Sequence, residues 1–194
     1  MPKPISKKEL SNLVLSSKAF QTKARKEAVE KLIEHKAEMV NEFINHPVTQ
    51  EISAGPTAQN SSKTLNGKGN LFSFIGFEKS QDPISPVVDV LNRETKLTGQ
   101  FYINNRGEGS LEFEYKLPSE EEISKVSQLP FESGRSWVWG IQRGISGFGF
   151  YLRKLWSSSR SGTAIQSSKK IRSASFKRTS YLSAIFNNLK NKLK

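Results

Sequence analysis

The sequence predicts an α+β fold: a small antiparallel sheet packed by a long N-terminal helix, with an extended loop and a basic C-terminal arm that ends in an amphipathic helix. Apolar residues recur every three or four positions over 22–45, which is typical of an amphipathic helix. Apolar and polar residues alternate on both sides of a glycine-bearing turn at 105–109, which is typical of a β-hairpin. A chain of 194 residues can form one core with extensions. We therefore expect an N-terminal arm or short helix over 1–20, a core domain over 21–156 with a long loop at 47–70, and a basic arm with a terminal helix over 157–194.

The N-terminal quarter of the chain is predicted to be mostly helical. Leu10, Leu13 and Val14 share one side of a short helix expected over 6–20. The long helix over 22–45 should end at the pair His46-Pro47, because the residue before a proline is driven out of the α region.

The middle of the chain begins with a polar segment. Residues 47–70 are rich in Pro, Gly, Asn, Ser and Thr, which predicts an extended binding loop or linker. The apolar run at 71–77 favours a short strand, although its pattern alone does not separate a strand from a buried helical piece. A short helix is expected over 83–94, with Val87, Val88, Val90 and Leu91 on its apolar side.

The clearest strand pattern follows at 97–117. Its alternation predicts a hairpin with one buried face and one solvated face. The buried face should carry Leu97, Phe101 and Ile103 from the first strand and Leu111, Phe113, Tyr115 and Leu117 from the second. Ser119 and Glu122 then form a capping box that should begin a helix of about two turns.

Two helices are predicted in the C-terminal third. Trp137, Ile141, Ile145 and Phe148 have helical spacing, and glycines at 140 and 144 on another face favour the close approach of a second backbone. After a Ser- and Lys-rich connection at 157–175, Ser180 is expected to cap a final amphipathic helix. The apolar stripe of that helix consists of Tyr181, Leu182, Ile185, Phe186, Leu189 and Leu193.

The net charge of +12 lies entirely in the same C-terminal third. Residues 133–194 contain 13 Lys and Arg and no acid, whereas residues 1–132 contain 17 basic and 18 acidic residues. A concentrated positive field attracts polyanions or acidic protein surfaces. The candidates for contact with such a partner are Arg153, Lys154, Arg160, Lys169, Lys170, Arg172, Lys177 and Arg178.

The sequence offers little for catalysis or for cofactor binding. It contains no cysteine, and neither of its two histidines, His35 and His46, has a second metal ligand or a paired nucleophile at a recognisable spacing. The glycines near 144–149 lack a phosphate-binding pattern. We therefore expect no enzyme activity, no catalytic residue, no cofactor and no metal. No apolar run is long enough to form a membrane-spanning helix, so we expect no membrane partner.

Aromatic residues suggest where partners could be contacted. We expect interface roles for Phe72, Phe74, Phe77, Trp137, Trp139, Trp156, Phe176, Tyr181 and Phe186. Two interpretations of the basic third stay open: nucleic-acid binding, with basic residues on phosphates and aromatics stacked on bases, and docking of a basic arm on an acidic neighbouring subunit. A third interpretation, binding to a membrane surface, is disfavoured by the glycines. The aromatics fit the spacing of a helical core equally well.

Several segments together resemble a known family. They are the run from His46 to Ile52, Gly55-Pro56, the run from Gly69 to Phe77, Gly162-Thr163, and the run from Ser175 to Leu182 that leads into the last helix. In their order along the chain they resemble the head–tail joining and tail-completion (neck) proteins of tailed bacteriophages.

This resemblance implies a non-enzymatic structural protein of a phage virion, which forms part of the neck or tail-terminus ring that joins head and tail. The implied partners are further copies of the chain in a ring homo-oligomer, neighbouring virion proteins (connector, tail tube or sheath) and, as a further candidate, packaged DNA. The implied location is the virion, assembled in the host cytoplasm. The alternative function is a DNA- or RNA-binding protein that uses its acid-free basic third.

Overall fold

The fold is α+β, as the sequence predicts. The structure is a computed structural model that describes residues 5–65, 69–105, 108–130, 132–143 and 176–194. The predicted connection at 157–175, and the second half of the helix predicted after Gly134, lie outside these ranges.

Eight α-helices and two two-stranded antiparallel sheets occur in the described ranges. The helices are α1 (Lys7–Ser16), α2 (Lys18–Asn45), α3 (Pro47–Ser53), α4 (Leu71–Ile75), α5 (Ser85–Glu94), α6 (Glu120–Val126), α7 (Trp137–Arg143) and α8 (Leu182–Lys192), with a 3-10 turn at Gly55–Thr57. The strands are β1 (Lys96–Asn105), β2 (Glu108–Lys116), β3 (Gln128–Leu129) and β4 (Glu132–Ser136), paired β1 with β2 and β3 with β4.

The two N-terminal helices meet at Ser17, earlier than the sequence pattern suggests. Ser17 has an extended backbone, and its hydroxyl accepts a hydrogen bond from the Phe20 N–H, so α2 already begins at Lys18. The predicted end of α2 is confirmed. His46 is extended, and α3 begins directly at Pro47, a residue that suits the first turn of a helix.

The prediction of an extended loop over 47–70 is wrong for much of that segment. Residues 47–53 form α3, and described residues after it are folded around the carboxylate of Glu51, which is buried. Glu51 accepts hydrogen bonds from the Leu71 N–H at 2.7 Å, the Ser62 N–H at 2.9 Å and the Asn60 side-chain amide at 2.9 and 3.1 Å. The polar composition therefore supplies donors to a buried acceptor, which is how a buried carboxylate avoids an uncompensated desolvation cost.

The predicted strand at 71–77 is also wrong, because the apolar run begins as the helix α4. The Asn70 side chain accepts from the Ser73 N–H at the start of this helix. Gly76 ends the helix in the left-handed conformation, at φ 90°. Leu71, Phe72 and Ile75 are all buried, so the run has no exposed face from which a period could be recognised.

The central core is formed by α2, α3, α4, α5, α6, α7 and α8. Its aromatic part surrounds Tyr181, whose ring lies 5.6 Å from that of Phe43 and 6.4 Å from that of Trp137. The Trp137 ring in turn meets Phe77 edge-on at 6.0 Å. Residues 181–189 thus belong to the same hydrophobic core as the N-terminal half of the chain.

The predicted cap of the last helix is wrong in its residue. Helix α8 begins at Leu182 with Tyr181 at the capping position, where it makes no side-chain capping hydrogen bond. The side-chain carbonyl oxygen of Gln142 accepts instead from the N–H groups of Tyr181 and Ser183. A residue of α7 therefore satisfies the donors at the start of α8, and no local sequence pattern could show this.

Replacement of the buried Glu51 should destabilise the protein strongly. We expect Glu51→Gln to lower the free energy of unfolding by about 3 kcal/mol, because the amide places a donor beside the N–H groups that now bind a charged acceptor. Urea denaturation with an unchanged slope measures this loss. The exposed Glu27→Gln is the matched control and should shift stability by less than about 0.5 kcal/mol. Equal effects of the two changes would contradict the assigned role of Glu51.

Candidate interaction surface

The register of the β1–β2 hairpin differs from the sequence prediction. Leu97 pairs with Tyr115, but Gly99 pairs with Glu114, so β1 contains one extra residue at this point. Because successive side chains point to opposite faces of a sheet, this bulge turns Phe101 and Ile103 away from the face that carries Leu97. The prediction that these three share one buried face is therefore wrong. Gly99 was the available signal, since an isolated glycine in a strand suggests a bulge.

The inner face of the hairpin packs against the N-terminal helices. The Gly109 N–H donates to the side-chain oxygen of Asn12 at 2.8 Å, and the side-chain amide of Gln100 donates to the Gln21 carbonyl at 3.0 Å. A Cβ atom at Gly109 would lie 2.7 Å from both the Asn12 oxygen and the Tyr102 hydroxyl. Glycine at 109 therefore allows the close approach of α1.

The outer face of the hairpin has no described element on it. Phe101 is 51% exposed, and Glu112 and Glu114 are exposed. Phe101 pairs with Glu112, and Ile103 pairs with Ser110, so apolar residues of β1 stand beside polar and acidic residues of β2. Neither Glu112 nor Glu114 has an ion-pair partner within the described ranges.

Helix α1 directs its apolar stripe to solvent. Leu10, Leu13 and Val14 are 56%, 58% and 47% exposed, while Asn12 and Leu15 on the opposite side are half-buried. No residue of α1 is fully buried. A helix of ten residues is marginal in water by itself. An amphipathic helix normally turns its apolar side to the core, so this orientation leaves the larger apolar surface available to a partner.

The root of the hairpin is fixed by a cluster of charges. The Lys116 ammonium lies 3.1 Å from a carboxylate oxygen of Glu94 on α5 and 2.7 Å from one of Glu122 on α6. Arg93 and Lys96 also contact Glu94. Hydrogen bonds from Arg93 and then Lys116 lower the pKa of Glu94 from 4.5 to about 2. The hairpin is thus anchored to the core at its base, while its outer face stays open.

Most of the predicted aromatic interface candidates help to build the fold. Phe72, Phe77, Trp137 and Tyr181 are buried in the core. The partly buried candidates Phe74, Trp139, Phe176 and Phe186 pack against that core, with Phe74 and Phe176 stacked at 6.0 Å. Trp156 lies outside the described ranges. Sequence reasoning did not select Phe101 or the stripe of α1, which are exposed.

Only two of the predicted basic contact residues fall within the described ranges. Lys177 and Arg178 are exposed, whereas Arg153, Lys154, Arg160, Lys169, Lys170 and Arg172 lie outside. The basic end of α8 rests on acids of α2: the Lys192 ammonium lies 2.9 Å from Glu38, and the Asn188 side-chain amide donates to Glu42 at 2.6 Å. In this part of the chain, the docking of a basic segment on acidic residues is therefore intramolecular.

The described ranges contain no cluster of His, Cys, Asp or Glu that could hold a metal ion. Their helices are all too short or too polar to cross a membrane. Comparison with known proteins finds no matching family model, no matching curated protein and no matching solved structure.

The lowered pKa of Glu94 can be measured directly. We expect its carboxyl to titrate near pH 2 in an NMR titration and the midpoint to rise in Lys116→Met, because a positive partner is removed. The folded-state pKa lies below the ordinary value, so the stabilisation is complete above pH 4.5 and is lost as the pH falls toward about 2. Lys125→Met, which removes the exposed partner of Glu121, is the control and should leave Glu94 unchanged. An unchanged midpoint in Lys116→Met would contradict the anchoring role.

Proposed function

We propose that this chain is a non-enzymatic structural subunit that works by packing against neighbouring subunits, and that its assembly is the neck or tail-terminus ring of a tailed-phage virion. One observation carries the proposal: α1 presents Leu10, Leu13 and Val14 to solvent while its more polar side contacts the hairpin. Monomeric proteins rarely expose a cluster of apolar residues, and such a cluster commonly marks a site of interaction with a partner.

The kind of assembly is inferred from a resemblance in the sequence. The segments from His46 to Ile52, from Gly69 to Phe77 and from Ser175 to Leu182 resemble phage neck and tail-completion proteins. In this chain the described residues of those segments form α3, α4 and the approach to α8 from residue 176 onward, which meet in one core. This arrangement supports a role for them in a common fold and leaves α1 and the hairpin for contacts with neighbours.

A second candidate function is nucleic-acid binding by the basic C-terminal third. Residues 176–194 include Lys177, Arg178, Lys190 and Lys194, for which no ion pair is found within the described ranges. Such residues could neutralise phosphates, and binding of that kind weakens steeply as the salt concentration rises. Salt dependence therefore separates this function from assembly through apolar contacts.

Removal of the apolar stripe should weaken self-association. In Leu10→Ser/Leu13→Ser we expect the dissociation constant to rise on the order of 30-fold, since each leucine is a little more than half exposed and would lose about 1 kcal/mol of further burial. Sedimentation equilibrium at low and high salt, with and without duplex DNA, measures this change. Ile33→Ser on α2 is the matched control, because Ile33 is 57% exposed but lies outside the stripe. The Ile33→Ser variant should self-associate with the same dissociation constant as the unsubstituted chain.

Two results would count against the proposal. A chain that stays monomeric at the highest attainable concentration and forms a DNA complex that dissociates at moderate salt would favour the second function. For the finer placement, antibodies against the chain should label the junction between head and tail in electron micrographs of virions. Label on the capsid surface or on the tail fibres would contradict that placement.

A further inference from the structure

The described part of the chain has two open faces of complementary character. The outer face of α1 carries Leu10, Leu13 and Val14, with the ammonium of Lys7 one turn before Leu10. The outer face of the hairpin carries Phe101 and Ile103 beside two carboxylates, Glu112 and Glu114. One face is thus apolar with a cation, and the other is apolar with anions.

The two carboxylates have no described cation of their own. By contrast, the other acids near the hairpin are neutralised: Glu108 by Lys8 at 3.1 Å, and Glu94 and Glu122 by Lys116. Lys7 likewise has no ion-pair partner within the described ranges, and the acid nearest to it on α1, Glu9, uses its carboxylate at the Ser6 N–H to cap the helix. The charges left over on the two faces are therefore opposite in sign.

The start of the chain strengthens this polarity. Residues 5–26 contain six Lys and Arg and one Glu, a net charge of +5, although Lys23 and Lys26 pair with Glu27 and Glu30 just beyond this range. The outward positions of β2 from Ser110 to Glu114 contain two acids and no base. Complementary potentials of this kind select the partner and the register of a contact more than they add affinity.

From these observations we propose that the outer face of α1 in one copy docks on the outer face of the β1–β2 hairpin in a second copy, with Lys7 directed at Glu112 and Glu114. The inference rests on the proposed function as an assembly subunit and names its contact. The two faces differ, so the contact is head-to-tail, and a bound pair still offers one free α1 face on one copy and one free hairpin face on the other. Such contacts build a ring when the rotation between copies closes and a filament when it does not.

The contact cannot form within one copy while the described fold is intact. The opposite side of α1 is bound to the same hairpin through Asn12 and Gly109 on its inner face and through Lys8 and Glu108 at its tip. The ten residues of α1 span only about 15 Å. To reach the outer face, α1 would have to release these contacts and pass around the strands, so a second copy is the simpler occupant.

The absence of cysteine allows a direct test by cross-linking. Val14→Cys places one thiol on the α1 stripe, and Ser110→Cys places one on the outer hairpin face; both positions are exposed. The two full-length variants are mixed, one of them isotope-labelled, and treated with a short bismaleimide. We expect the mixed dimer to form at least about fivefold more efficiently than in a mixture of Val14→Cys with the exposed control Ser80→Cys, because docking holds the first two thiols close together.

Charge reversal tests the orientation of the contact. Lys7→Glu in the Val14→Cys copy should lower the yield of the mixed dimer about tenfold, since it sets a third acid against two. Glu112→Lys in the Ser110→Cys copy should restore much of the yield when it is paired with Lys7→Glu. Rescue in this combination is not expected if the substitutions merely disturb folding.

The outcomes also separate this inference from the proposed function. Equal yields in all pairs, a dominant dimer of two Val14→Cys copies, or no rescue by Glu112→Lys would overturn the head-to-tail contact. If oligomers sensitive to Leu10→Ser/Leu13→Ser were still present, the assembly function would stand with a different contact. If the chain were monomeric and bound DNA in a salt-sensitive manner, the proposed function itself would fail, and the contact with it.

Discussion

The burial of Tyr181 is the constraint on which the rest of the fold depends. Its ring is fully enclosed beside Phe43, Trp137 and His46, and its hydroxyl lies 2.5 Å from the Thr49 hydroxyl. A buried phenol needs such a partner because an unsatisfied hydroxyl is costly in the core. Burial also raises the pKa of Tyr181 above its ordinary value, which keeps the hydroxyl neutral. Through this one side chain, the last helix is bound to α2, α3 and α7, elements far apart in sequence.

The fold divides the chain into a well-buried core and a thinly buried lobe. In α2 the buried positions begin at Ala28, and neither α1 nor the described residues of β1 and β2 contribute a fully buried side chain. Elements that bury little apolar surface open more easily than the core around them. The lobe formed by α1, the start of α2 and the hairpin is therefore the part whose stability would gain most from a neighbour, which agrees with its role in the proposed contact.

Sequence reasoning recovered elements with a local signal and failed where tertiary contacts decide. The capping box of α6 and the end of α2 at His46 are local, and both are confirmed. The order imposed on the polar segment by Glu51 depends on the Leu71 N–H, 20 residues away, so composition alone predicted a loop. Likewise, the alternation of apolar and polar residues located both strands of the hairpin. The face on which Phe101 and Ile103 lie, however, is decided by a single extra residue in β1. The sequence analysis missed the candidate surface for two reasons: the extra residue in β1 and the unusual orientation of α1.

That extra residue links local geometry to the proposed assembly. Without the bulge, Phe101 and Ile103 would share the face of Leu97 and would be turned toward the N-terminal helices. Tyr102 would then be the one aromatic side chain of β1 on the outer face. With the bulge, the Phe101 ring lies over Gly99 on the outer face, so closely that a Cβ at Gly99 would be 2.5 Å from it. The ring is held against the sheet and still keeps half of its surface exposed. Together, the ring and the two carboxylates offer a neighbour both apolar surface and negative charge. The exposed stripe of α1 with Lys7 complements both.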